Sequence, residues 1–235
     1  MVISDNKSLK TNSRNFRPSQ ATIRDHNLAS VRGAGRRQRR AAATRMNLYH
    51  AAIQLFAEKG FNNVTVEDIT DAADVGKGTF FNYFPTKDHV LGVLVEIQLA
   101  KIREAVESAA GSRQSIRSVL HRLSLSLTEE PKQSPELARA VISAFLASKV
   151  VREPLQKQMV TGQNLIAELV GLGQAQGEID PQLQRKAIAV QFQQMVVGTT
   201  LLWSLHGEPS AAKRVEDSFQ HFWRAVSSRT REPKS

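Results

Sequence analysis

A short segment in the first half of the chain concentrates polar side chains of several chemical types. Lys77 supplies a cation, Thr79 and Asn82 supply hydrogen-bond donors and acceptors, and Tyr83 supplies an aromatic ring with a hydroxyl. Side chains of these types contact base edges and phosphate oxygens in proteins that bind nucleic acid. An ordinary solvated helix would have a similar composition, so the interpretation depends on the elements that hold these residues.

The flanking sequence predicts two short helices joined by a tight turn. Thr65 and Asp68 have the spacing of a capping box, which predicts that a helix begins there. Asp74-Val75-Gly76 then interrupts the apolar repeat with residues that tolerate a left-handed backbone. A second helix is expected to end near Phe84, because the next residue is a proline. Residues 65–84 therefore predict a helix-turn-helix, whose second helix can enter the major groove of DNA.

The two faces of this second helix, from Lys77 to about Phe84, differ in chemistry. Phe80 and Phe84 are four residues apart and share one face, which can pack on the preceding helices. The polar residues described above are left on the outward face. This division favours the nucleic-acid interpretation over a solvated helix.

Basic charge is concentrated at the start of the chain. Residues 1–50 contain eleven Lys and Arg but two Asp and Glu, which is +9 of the whole-chain net charge of +10. Such a segment is typical of polyanion binding. Residues 1–40 have few large apolar side chains, so we expect a disordered basic arm. A solubilising tail or a targeting segment is the alternative, although no apolar run could form the core of a signal peptide.

The remaining composition argues against catalysis and metal binding. The chain has no cysteine, which excludes disulfides, thiolate catalysis and cysteine-ligated zinc. Its six histidines show no pairing at metal-site spacing, and residues 75–79 lack the spacing of a phosphate loop. No apolar run reaches the ~18 residues of a membrane helix. We therefore expect a cytoplasmic protein with no enzymatic activity, no cofactor and no metal site.

Apolar residues recur at helical spacing after the arm, and alternating strand patterns are absent. This periodicity predicts an all-α fold, and the pattern divides into about nine helices. Gly60 is expected to end the first helix. Later helices are expected to begin at capping or proline signals: Thr86, Ser134-Pro135, Pro154, Asp180-Pro181 and Ser210.

Residues 45–91 resemble the DNA-binding domain of the TetR family of bacterial transcription regulators. The matching blocks are A-A-x-x-L-F-x-x-x-G-F (51–61), T-V-x-D-I (65–69), G-T-F (78–80) and Y-F-x-x-K (83–87). The resemblance implies a dimer of nine-helix subunits with a variable C-terminal ligand domain. The expected organisation is an arm at 1–40, a three-helix helix-turn-helix domain at 41–90, a helical ligand-binding and dimerisation domain at 91–229, and a tail at 230–235.

Three positions depart from the family pattern. Asp74 stands where glycine is usual in the turn, so slight strain is expected there. Gly76 stands where serine is common and offers no side-chain cap. Phe81 stands where tyrosine is common, and its missing hydroxyl removes one contact to phosphate.

The resemblance also assigns the residues expected to contact a palindromic duplex site. They are Arg45, Thr65, Lys77, Gly78, Thr79, Asn82, Tyr83 and Lys87. Thr79 and Asn82 are expected to discriminate bases, and Lys87 is expected to contact phosphate at the start of the next helix.

The last two helices are expected to form the dimer interface. Apolar residues on the last helix form a seam, with a small residue on the helix before it allowing close approach: Gly198, Val215, Phe219, Phe222 and Val226. The alternative is that this face covers the core of its own subunit.

The resemblance implies a ligand pocket enclosed by the helices between residues 86 and 205, where the side chains are mostly apolar with a few polar groups. The predicted lining is Leu99, Ile102, His121, Leu123, Phe145, Met159, Gln163, Ile166, Phe192, Val196 and Trp203, with Gln193 as a further polar group. An uncharged or anionic hydrophobic ligand is expected to release a repressor from its operator. The alternative function is a helical protein–protein interaction module with a basic tail that binds RNA or membrane.

Overall fold

The computed structural model describes residues 35–112, 114–129, 135–206 and 210–228. Within these ranges the chain forms nine α-helices and no strand, and an isolated bridge pairs Ile179 with Ser227. The all-α prediction is confirmed. The helices are α1 Arg36–Lys59, α2 Val66–Ala72, α3 Lys77–Phe81, α4 Leu91–Ala110, α5 Ile116–Leu127, α6 Pro135–Ala147, α7 Lys149–Ala175, α8 Arg185–His206 and α9 Ala211–Val226, with 3₁₀ turns at Phe61–Asn63 and Lys87–Val90.

The chain divides into two compact units, Met1–Thr44 and Arg45–Ser235. Most of the predicted disordered arm lies outside the described residues. The arm was predicted to reach residue 40, but α1 already begins at Arg36. The reason is local, because Arg, Gln and Ala are among the strongest helix formers and dominate residues 36–43. The domain boundary predicted at residues 90 and 91 stays a prediction.

The first three helices, the start of α4 and parts of α6 and α7 enclose one apolar core. Its fully buried members from α1, α2 and α3 include Leu48, Phe56, Ile69 and Phe80. Gly60 ends α1 with a φ of 80°, a conformation that favours glycine. This core fixes how α3 is presented, because a buried phenylalanine anchors it.

A second core lies between α4, α5, α7, α8 and α9. Glu178 organises one end of it, since its carboxylate accepts the N–H groups of Ile116 and Arg117 at 2.9 and 3.1 Å. Gly173 is required nearby, because a Cβ there would lie 2.7 Å from the Cδ1 atom of Ile179. None of the helices in the described ranges combines the length and apolar character needed to span a membrane.

Several predicted helix boundaries shift. Helix α7 begins at Lys149, so Pro154 lies inside it rather than at its start. Helix α8 begins at Arg185, a few residues beyond Asp180-Pro181. Helix α3 ends at Phe81, before Phe84. Proline signals predict a helix start only to within a turn, because the residues around them can adopt helix or turn. Ser134 lies outside the described residues.

The predicted dimer seam on α9 is wrong. Val215, Phe219 and Val226 are 1–2% exposed in the single chain, and Phe222 is 9% exposed. Phe219, Phe222 and Val226 pack into the second core with residues of α5 and α8. An amphipathic stripe shows that a face is buried but not which partner covers it, and here the subunit itself does so.

Candidate nucleic-acid interface and ligand cavity

The predicted capping box at the start of α2 is confirmed. The Oγ1 atom of Thr65 accepts the backbone N–H of Asp68 at 3.1 Å, and the Asp68 carboxylate accepts the N–H of Thr65 at 2.8 Å. Hydrogen bonds from Thr65, aided by Lys59, hold the pKa of Asp68 well below its usual range. These bonds occupy the Thr65 side chain within the chain, so its predicted DNA contact has no support from the structure.

The turn between α2 and α3 closes with two overlapping hydrogen bonds. The N–H of Val75 donates to Thr70 O at 3.0 Å, and the N–H of Asp74 donates to Asp71 O at 3.2 Å. This is a Schellman motif with Asp74 in the left-handed position, at a φ of 52°. The non-glycine residue expected to strain the turn therefore occupies the strained position.

Helix α3 and the residue after it expose several of the predicted polar residues, whereas Tyr83 packs against the first core. Lys77, Gly78 and Asn82 are exposed, while Thr79 and Tyr83 are half-buried. The side chain of Lys77 forms an ion pair with Glu67 of α2. The outward arrangement agrees with the expected face, and the roles of these residues on DNA stay predictions.

Lys87 has a different role from the predicted phosphate contact. Its ammonium group donates to Phe61 O and Val64 O at 2.8 Å each and to Asn62 O at 3.5 Å, and it lies 4.7 Å from the centre of the Phe61 ring. An ammonium group has three N–H donors. All three are directed to the loop before α2, so Lys87 is a structural link and we remove it from the proposed DNA surface.

The side chain of Arg45 likewise contacts residues of its own subunit. Its guanidinium forms two hydrogen bonds of 2.8 Å to the carboxylate of Glu96 on α4 and lies 5.5 Å from the centre of the Phe84 ring. The predicted DNA contact of Arg45 is replaced by this link between α1, α4 and the segment after α3.

A cavity of about 230 Å³ lies between α4, α5, α6, α7 and α8. The described side chains that line it include no ionisable group. The lining residues are Leu94, Val95, Gln98, Leu99, Ile102, Leu127, Ala138, Val141, Ile142, Phe145, Leu155, Gln158, Met159, Gly162, Ile166, Gln193, Val196, Val197 and Thr200. Apolar walls with a few amide and hydroxyl groups are typical of small-molecule sites.

Comparison with known proteins assigns the helix-turn-helix. Residues 48–94 match the family described as bacterial regulatory proteins, tetR family. The HTH-type transcriptional regulator UidR of Escherichia coli K12 is 24% identical over 150 residues, which are 62% of this chain and 74% of UidR. Residues 48–94 are therefore a domain of the TetR family.

Solved structures of transcription regulators share the fold of this chain. FadR from Thermus thermophilus, a repressor solved with lauroyl-CoA, matches with a TM-score of 0.58 and 23% identity over 81% of this chain and 100% of that one. FadR from Bacillus subtilis, solved with stearoyl-CoA, matches with a TM-score of 0.63 and 17% identity over 75% and 96% of the two chains. These likenesses show the fold, and the match at residues 48–94 identifies the helix-turn-helix domain of a DNA-binding transcriptional regulator.

Part of the predicted pocket lines the cavity. The residues that do so are Leu99, Ile102, Phe145, Met159, Ile166 and Val196, together with Gln193. Sequence reasoning missed the start of α4, where Leu94, Val95 and Gln98 also line it. Their helical spacing was visible, but it does not distinguish a cavity wall from a filled core.

The other predicted pocket residues lie elsewhere. Leu123 and Phe192 are buried in the second core, and Trp203 packs with Ala138 and Ala211. His121 bonds Glu216 of α9 at 2.5 Å. Gln163 donates to the Oε1 atom of Gln193 at 2.8 Å, so it supports a cavity residue without lining the cavity. Among the described residues, no cluster of histidine or acidic side chains is arranged to hold a metal.

Proposed function

We propose that this chain is a homodimeric repressor that binds a palindromic duplex site and is released by a small hydrophobic ligand. The observation that supports it best is α3, which is anchored by the buried Phe80 and exposes Lys77, with Asn82 exposed directly after its end. A short helix held rigidly on a core, with polar groups outward, suits entry into the major groove. Since chromosomal DNA is the proposed target, the proposed place of action is the cytoplasm.

The DNA-binding part of the proposal is tested by mapping genomic fragments that the purified full-length chain protects from nuclease. The expected result is a small set of sites with two-fold symmetry and half-sites separated by a multiple of about one helical turn. Gel shifts with the same sequence as duplex DNA and as RNA, and with anionic lipid vesicles, provide the comparison. Preferential binding to RNA or vesicles would favour the interaction-module alternative and contradict the proposal.

Of the two helices expected to form the dimer interface, the proposal keeps α8 and leaves out the buried seam of α9. Four apolar side chains on α8 are 38–59% exposed in the single chain: Val197, Leu201, Leu202 and Leu205. Gly198 lies among them, and a Cβ built there would meet no atom within 4 Å. Packing within the subunit therefore does not require glycine at this position. A contiguous exposed apolar face with a small residue at its centre is suited to close approach by a second copy of the helix.

The proposed ligand site is the cavity between α4 and α8. Its uncharged lining would desolvate a charged group without pairing it, which favours an apolar ligand or an apolar tail. Gln98, Gln158 and Gln193 can bond a carbonyl or hydroxyl group on such a ligand. The FadR relatives bind lauroyl-CoA and stearoyl-CoA, so long acyl chains belong in any set of compounds that is screened.

The proposed switch connects the cavity to α3 through side chains in contact. Leu94, Val95 and Gln98 of α4 line the cavity and flank Glu96, which holds Arg45. Arg45 lies over the Phe84 ring, and that ring is 5.6 Å from the ring of Phe80. A ligand that binds better when α4 is displaced must also weaken DNA binding if that displacement moves α3.

Screening for thermal stabilisation, followed by measurement of operator release, tests the ligand and the switch separately. We expect fatty acids, acyl-CoA esters or neutral apolar metabolites to raise the melting temperature and to weaken operator binding. Filling the cavity by Gly162→Leu should reduce that stabilisation, because a Cβ at Gly162 already lies 3.2 Å from the Cδ1 atom of Ile102. Ligands that stabilise the protein without changing operator affinity would support the proposed ligand site. They would contradict the proposal that ligand binding controls DNA binding.

A further inference from the structure

Phe81 is an exposed aromatic side chain on the helix that faces DNA. It is 53% exposed, whereas its neighbours Phe80 and Phe84 are 0% and 1% exposed. The structure describes all of residues 45–94, and among the large apolar side chains of this range Phe81 alone is exposed. Leaving such a ring in water has a free-energy cost of hydration. Isolated exposed apolar residues are common, so the surroundings of the ring decide whether it has a partner.

Two features of those surroundings point to a partner outside the chain. The Phe81 ring packs edge-on against Phe80, with centroids 5.5 Å apart and an interplanar angle of 86°. The fixed position of Phe80 in the core therefore restricts where the Phe81 ring points. Gly78 lies one helical turn earlier on the same side, and a Cβ built on it meets nothing within 4 Å. A side chain larger than that of glycine would fit at position 78, so folding does not explain the open space beside the Phe81 ring.

We propose that Phe81 reads the 5-methyl group of a thymine in each half-site. This inference rests on the proposed binding of duplex DNA. Phenylalanine has no donor for a phosphate oxygen, and the thymine methyl is the apolar group that base pairs present in the major groove. Lys77 and Asn82 are exposed beside it and supply the polar contacts. Phe81 therefore adds a preference for thymine over cytosine, which lacks the methyl group.

Methyl substitution on single bases tests this proposal. The full-length chain first selects duplexes from a random-sequence pool, and each thymine of the selected site is then replaced by deoxyuridine, which removes only the methyl. We expect one position per half-site at which this replacement weakens binding about fourfold, the effect of burying one methyl group. At the same position, 5-methylcytosine should bind better than cytosine.

Variants at position 81 and its neighbour identify the side chain responsible. Phe81→Ala should abolish the methyl effect at that position, while Phe81→Tyr should keep it because the ring remains. Asn82→Ala is the matched control on the same exposed surface and should keep the methyl effect while changing preference at another base. Circular dichroism and thermal melting verify that each variant is folded, as expected for a half-exposed site.

The outcomes separate this inference from the proposed function. Selected duplexes that show no methyl effect, or an effect that is unchanged in Phe81→Ala, would overturn the role of Phe81 and leave DNA binding intact. If the chain selected no duplex at all, the proposed function itself would be refuted.

Discussion

At the scale of single residues, the outward side chains of α3 are expected to divide between base reading and general affinity. Thr79→Ala and Asn82→Ala should each cost about 1–3 kcal/mol on the preferred site and relax specificity at one base position. The measurement is the dissociation constant for the preferred duplex and for its single-base variants at one salt concentration. Equal losses on specific and random DNA would show that these residues do not read bases.

Lys87 and Lys77 form a matched pair of lysines with different expected roles. Lys87→Met removes three bonds to backbone carbonyls and should lower the free energy of unfolding by about 2 kcal/mol. Lys77→Met removes an exposed ion pair with Glu67, so stability should change by less than about 0.5 kcal/mol.

In DNA binding, Lys77→Met rather than Lys87→Met should have the larger effect. The slope of log affinity against log salt should fall by about 1 for Lys77→Met and remain unchanged for Lys87→Met. The reason is that the Lys77 ammonium is exposed and can exchange Glu67 for a phosphate, whereas the Lys87 ammonium is held by backbone carbonyls. A reduced salt slope with unchanged stability in Lys87→Met would restore the phosphate contact that the structure replaces.

At the scale of the helices, the link between α1 and α4 is expected to transmit ligand binding. Glu96→Gln keeps the shape of the side chain but removes the charge that pairs with Arg45. The coupling free energy is obtained from the operator affinities with and without a cavity ligand. We expect it to fall by about 0.5–2 kcal/mol in this variant. The measurement uses the strongest stabilising ligand from the thermal screen.

The control for this coupling is an ion pair away from the cavity and α3. Glu153→Gln removes the carboxylate that pairs with Lys149 near the start of α7. The Nζ atom of Lys149 and the Oε1 atom of Glu153 are 3.6 Å apart. Its coupling should equal that of the wild-type chain. An equal loss of coupling in both variants would indicate a general electrostatic effect, and no loss in Glu96→Gln would exclude the Arg45 link from the switch.

The last two helices are expected to respond differently to charge. Leu202→Glu with Leu205→Glu places two carboxylates on the exposed apolar face of α8, which should give folded monomers in sedimentation velocity. Phe219→Glu with Phe222→Glu should instead unfold the subunit, because both rings lie in the second core and a buried carboxylate is unpaired there.

Leu183→Glu serves as the control for the dimer, because Leu183 is exposed but lies before α8. This variant should sediment as a dimer. A folded α8 double variant that also remains a dimer would exclude the α8 face as the interface.

At the scale of the whole molecule, charge is distributed unevenly, since residues 1–50 hold nearly all of the net +10. Deleting residues 1–35 removes six Lys and Arg, and replacing Arg36, Arg37, Arg39 and Arg40 with glutamine removes four. Each variant should flatten the salt slope by about 0.9 for every phosphate no longer neutralised, without changing the preferred site. An unchanged slope would show that the segment does not contact DNA, and a changed site would show that it reads bases, as basic arms do in the minor groove.

Features that depend on neighbours a few residues apart were predictable from the sequence alone. The capping box joins residues 65 and 68, and the turn closes through bonds between residues 70 and 75. The all-α fold and the buried position of Phe80 follow from apolar spacing along single helices. Each of these is decided by local backbone geometry, so the order of residue types carries the information.

Features that depend on distant partners were decided by the tertiary structure. Lys87 reaches Val64 across 23 residues, and Arg45 reaches Glu96 across 51. Both were predicted on the DNA surface, because a cation near a helix-turn-helix resembles a phosphate ligand until its actual partner is known. For the same reason, periodicity marked the apolar face of α9 as buried but did not show that α5 and α8 cover it. The cavity also required the fold, since packing alone determines which apolar side chains leave a space between them.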